Sequence, residues 1–84
     1  MKHNKYLREA VFETIRNQIR ANNPPETKIT FDRLIKEGYT ELETNQLIGQ
    51  CVLMEIYDIM KNEQSFNEER FKKNLKNLPK KPIE

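Results

Sequence analysis

Cys51 and His3 are the only cysteine and histidine in this 84-residue chain, and they bound the reactive chemistry open to it. A thiol and an imidazole suffice for nucleophilic catalysis when the base abuts the nucleophile. Here Cys51 is set among Ile48, Val52 and Met54, where thiols are usually inert packing groups, and His3 precedes the first periodic segment. One of each on separate elements makes a poor metal site, since zinc takes several such ligands at once. Carboxylates at helical spacing are Glu9 with Glu13 and Glu55 with Asp58. Di-metal helical bundles add Glu-x-x-His motifs that this chain lacks. Both pairs are therefore expected on solvated helix faces, matched by nearby Arg and Lys. There is no phosphate-binding glycine loop and no Gly-x-Ser-x-Gly elbow. The reading is of no catalytic residue, no metal ligand and no cofactor, hence not an enzyme.

Binding chemistry has two candidates. Arg70, Lys72, Lys73 and Lys76, with Lys80 and Lys81 behind them, are the residues that would contact phosphates. Against a nucleic-acid partner stand the acidic middle of the chain and a single aromatic, Phe71, among those bases. No helix-turn-helix spacing is convincing either. The formal net charge of +2 hides a segregation: residues 37–69 sum to −7 and the rest to +9. Such asymmetry steers a charged partner, holds the chain's own helices together, or orients one copy against another.

The second candidate is an apolar surface. From Leu47 to Met60 the chain reads LIGQCVLMEIYDIM, ten apolar residues in fourteen. On a helical wheel, Ile48, Val52, Leu53, Ile56, Tyr57, Ile59 and Met60 fill about half the circumference around Gly49. Leu47, Cys51 and Met54 fall on the other side, among Gln50, Glu55 and Asp58. The wide arc is assigned to the internal core. The narrow strip of Leu47, Cys51 and Met54, with Ile29, is the candidate contact surface for a protein partner or a second copy. Alternatively, the first and fourth helices cover that strip within one chain.

The elements that must position these residues follow from the punctuation. A first helix runs from about residue 5 to 21 on the row Leu7, Val11, Ile15 and Ile19, with Phe12 beside it. Asn22 and Asn23 before Pro24 end it. Asn23 is expected to cap the second helix, residues 24–37, with Pro24 and Pro25 in its first turn and Glu26 at the capping-box position. Its buried face is Phe31, Leu34 and Ile35, with Thr27 a turn earlier and Ile29 pointing away; Gly38 terminates it.

Thr40-Glu41-Leu42-Glu43 is a capping box opening a third helix, residues 41–61. Gly49, mid-helix, costs about 1 kcal/mol relative to alanine, which predicts close approach of the first or second helix there. A fourth helix, residues 68–78, starts at Asn67 with Phe66 and Phe71 as a hydrophobic staple and buries Phe71, Leu75 and Leu78. The fold class is all-α, a compact four-helix bundle-like domain over residues 1–78 with a frayed basic tail at 79–84.

Composition agrees. Apolar residues are 36% and charged ones 33% of the chain, enough for one domain with a small core. One cysteine forms no intrachain disulfide, which fits a reducing compartment. No signal-peptide pattern opens the sequence and no run of about eighteen apolar residues suggests a membrane span. The expectation is a soluble cytoplasmic protein without a membrane partner.

Asn23-Pro24-Pro25-Glu26, Arg33-Leu34, Glu37-Gly38-Tyr39, Ile48-Gly49, Phe66-Asn67, and Leu75 with Leu78-Pro79 give the chain a resemblance. It looks like a small bacterial all-helical domain family of unknown function, over about residues 6–79, with Gln18-Ile19 matching the first element. These motifs are chiefly caps, turns and core positions, so what the resemblance implies is a fold. Many members of that family carry histidines at positions matching Arg8, Phe12 and Gln46 here, so no metal or acid–base role carries over. It implies no substrate, cofactor or partner.

Overall fold

The punctuation residues divide residues 5–82, the part of the chain described by the computed structural model, into four helices: α1 (Lys5–Ala21), α2 (Pro25–Lys36), α3 (Glu41–Asn62) and α4 (Glu68–Asn77). No strand occurs among the described residues, and the class is all-α. His3 and the last two residues of the basic tail lie outside them. No helix among the described residues is long and apolar enough to cross a membrane.

α1 ends in a left-handed turn. Asn22 adopts φ 54°, its N–H donates to the Ile19 carbonyl, and the Asn23 N–H donates to the Gln18 carbonyl. This pair of bonds is a Schellman closure. It also corrects the expected start of α2. A capping box at Asn23 would need its N–H for Glu26, and that N–H is already committed to Gln18. Pro24 instead holds the cap position without a side-chain hydrogen bond, and Pro25 is the first helical residue. Neither proline has an N–H to offer, so Glu26 Oε1 is buried with no hydrogen-bond partner among the described residues.

Gly38 closes α2 in the same way at φ 107°, with its own N–H donating to Ile35 and the Tyr39 N–H to Leu34. α3 opens on the full capping box, in which Thr40 Oγ1 accepts the Glu43 N–H and Glu43 Oε1 accepts the Thr40 N–H. α4 opens on Asn67, whose Oδ1 accepts the Arg70 N–H, and Phe66 meets Phe71 edge to face at 5.2 Å.

α3 is the hub: α1, α2 and α4 all pack on it, and α2 also touches α1 and α4, but α1 and α4 do not touch each other among the described residues. The core is Val11 and Ile15 of α1, Leu34 of α2, Ile48, Cys51 and Val52 of α3, and Phe71, Leu75 and Leu78 at the end of the chain. At the α1–α3 crossing, a Cβ on Gly49 would lie 3.1 Å from Val11 Cγ1, which explains a glycine in mid-helix. On α2 the buried positions are Thr27, Thr30 and Leu34, with Phe31 half-buried. Ile35, expected inside, is exposed: it lies about 100° around the helix from Leu34, and Thr30 occupies the inward position instead. The Thr27 hydroxyl is satisfied by donating to Gln18 Oε1 on α1 at 2.8 Å. The Cα radius of gyration of 12.3 Å is close to the ~12 Å of a compact domain of this length.

Candidate functional site

The inner side of α3 is a line of residues one turn apart: Thr44, Ile48, Cys51 with Val52, and Glu55, all buried. The sequence pattern placed Glu55 on a solvated face. It is instead 0% exposed, and the correction comes from α4. Arg70 Nε donates to Glu55 Oε2 at 2.7 Å and Arg70 Nη2 to Glu55 Oε1 at 2.9 Å, a bidentate pair. The Asn67 N–H adds a third donor to Oε1 at 2.9 Å. Arg70 Nη2 also reaches Asp58 Oδ2 at 3.0 Å, while Asn62 Nδ2 donates to Asp58 Oδ1 at 2.8 Å. The Asn62 hydrogen bond, then Arg70, holds the Asp58 carboxyl below the usual carboxylate range. The same two carboxylates hold the Arg70 guanidinium above its ordinary value, so it stays charged.

This network decides which side of α3 is inside, and it reverses part of the reading from sequence. Because α4 docks on the acidic side, Cys51 enters the core at 0% exposure and is no contact residue for a partner. Burial, followed by the nearby Glu55 charge, pushes its thiol up to about 12, so it is an unreactive thiol in the folded chain. Leu47 is half-buried against the same core. Met54 is half-buried, and its Sδ lies 3.7 Å from the buried Asn74 Nδ2 on α4. Ile29 points outward on α2, as expected, at 63% exposure.

The wide arc assigned to the core divides along its length. Ile48 and Val52 are buried, Leu53 and Ile56 half-buried, but Ile59, Tyr57 and Met60 are exposed, the last two at 56% and 72%. Tyr57 and Met60 join Met54, Asp58, Lys61, Asn62 and Arg70 around an open groove of about 560 Å³ between the second half of α3 and the start of α4. A smaller depression of about 270 Å³ lies among Phe12, Ile19, Phe31, Glu41 and their neighbours.

The predicted phosphate contacts are separated by the same network. Arg70 is not available for phosphate, because its guanidinium is bound to Glu55 and Asp58. Lys72 pairs with Glu68 at 3.6 Å, whereas Lys73 and Lys76 make no ion pair among the described residues. No group of three or more His, Cys, Asp and Glu among the described residues stands where it would hold a metal ion. The groove was missed from sequence because Tyr57 and Met60 sit on the apolar arc, which periodicity alone assigns to the inside. No family model matches the chain, and neither a curated protein nor a solved structure matches it.

Proposed function

We propose that this chain is a non-catalytic protein-interaction module that binds through the groove between the second half of α3 and the start of α4. The observation that carries this reading is the exposure of Tyr57 and Met60 beside Met54, on the helix against which α1, α2 and α4 all pack. Large apolar residues clustered at one groove, rather than scattered singly, are the usual mark of an interaction surface. Methionines add a lining that adapts to different shapes. The reactive groups are otherwise engaged: Cys51 is sealed in the core, and Glu55 and Asp58 are tied to Arg70. Kinship with the small bacterial helical family belongs to the same proposal and rests on caps, turns and core positions.

The test is capture from extract of the source cells with tagged chain. The wild type retains a partner that the Tyr57→Ala/Met60→Ser double variant loses, while far-UV circular dichroism and thermal midpoint of the variant stay near wild type. Equal recovery by a folded double variant overturns the reading.

A further inference from the structure

The outer side of α4 is a second surface of distinct chemistry, independent of the groove. From residue 70 to residue 83 the chain carries six bases and no acid. Phe71, Asn74, Leu75 and Leu78 are buried, which turns Lys73 and Lys76, one turn apart, to the opposite side. The Lys80 N–H donates to the Asn77 carbonyl at 2.9 Å, which keeps Lys80 at the end of that row, and Lys81 follows. All four lysines are exposed and make no ion pair among the described residues. Arg33 of α2 pins the far end of α4 by donating from Nη2 to the Leu75 carbonyl at 3.2 Å. The helix dipole accounts for Lys76, in the last turn, but not for Lys73. At a spacing of three residues these two lysines repel each other.

The acids that counted against a phosphate partner are largely engaged by cations of their own. Glu55 and Asp58 are held by Arg70, Glu37 by Arg33 and Glu68 by Lys72. Glu69 is exposed four residues before Lys73 and does not pair with it. Phe71, the one aromatic among the bases, is buried beside Phe66 and cannot stack on a nucleobase. No large apolar residue of α4 is exposed. This side therefore has charge without the apolar anchor that a protein interface or a membrane-inserting helix needs. Single-strand sites add aromatic platforms for the bases. A duplex backbone is held by charge alone, through release of its condensed counterions.

We infer that Lys73, Lys76, Lys80 and Lys81 bind the phosphate backbone of double-stranded nucleic acid without reading its sequence.

The experiment follows the fluorescence anisotropy of a short labelled DNA duplex as the full-length chain is added. Affinity is expected to fall about a hundredfold between 50 and 200 mM salt, the dependence of about four phosphate contacts. Duplexes of unrelated sequence, DNA or RNA, are expected to bind equally. Lys73→Gln/Lys76→Gln/Lys80→Gln, all exposed changes, should remove most of the binding. Lys5→Gln/Arg8→Gln/Lys28→Gln loses the same charge from α1 and α2 and should keep it. Circular dichroism of both variants should match wild type. No anisotropy change at 50 mM salt, or equal weakening by the two folded variants, overturns the inference. So does binding of polyglutamate as tight as that of the duplex, which would assign the surface to acidic proteins. Tighter binding of the single strand than of the duplex overturns it as well.

Discussion

At the scale of single residues, the fold depends on one buried acid and the base that neutralises it. Glu55→Ala removes the acceptor for Arg70 and for the Asn67 N–H at once. It should lower the unfolding free energy by about 3 kcal/mol, the low end for a broken buried pair, because the freed guanidinium can turn to water. Arg70→Ala should cost more, since it strands a carboxylate that is fully inside. Urea denaturation of the two variants measures the difference, and equal losses would contradict the arrangement. Asp58 adds a pH dependence of definite sign. Its carboxyl titrates lower in the folded chain than in the unfolded one. Its contribution is therefore complete above the unfolded value of about 3.9 and is lost as pH falls through the lower folded value. Asp58→Asn should flatten the acid side of the stability curve below about pH 4. For Cys51, with its thiol pushed up to about 12 and no exposure, a disulfide reagent at neutral pH should label the chain only as fast as it opens. Prompt labelling of the native chain would show that the thiol is not inside.

At the scale of elements, boundaries set by chemistry within four or five residues were legible in the sequence. Thr40 with Glu43, Gly38, and Asn67 with its Phe66–Phe71 staple all stand where the pattern put them. The start of α2 was not legible, because the Asn23 N–H is used by the preceding helix, which a cap motif read by itself cannot register. The facing of α3 was legible only around Ile48, Gly49 and Val52. Amphipathic reading sends acids outward, and it fails at Glu55 because the neutralising Arg70 comes from fifteen residues away on another helix. α4, ten residues long, is shorter than the ~12–15 residues an isolated helix needs, so it depends on this anchor and on its buried Phe71 and Leu75. Gly49 was read correctly as a point of close approach. Gly49→Ala should lower stability by about 1 kcal/mol, since overpacking against the buried, β-branched Val11 exceeds alanine's helix advantage. In a Val11→Ala background the same change should become stabilising, a sign reversal that a double-mutant cycle by chemical denaturation would detect.

At the scale of the whole molecule, α3 is packed by three helices, and the groove beside its second half is left open. With the groove reserved for a partner protein, the chain by itself has no reason to pair with a second copy. Light scattering should then give the monomer mass of 10.1 kDa even at high concentration, and a concentration-dependent rise would favour the homodimer instead. Taken by itself, the sequence determined the all-α class, the number and approximate limits of the helices, most of the residues that build the core, and the close contact at Gly49. Each of these rests on local propensity, capping or periodicity, which act within a few turns. Only the tertiary structure decided that Glu55 and Cys51 are inside while Tyr57 and Met60 are outside. The reason is that a helix's inner side is chosen by what packs against it. Here the choice was made by Arg70, which neutralises a carboxylate on the face that periodicity had assigned to water.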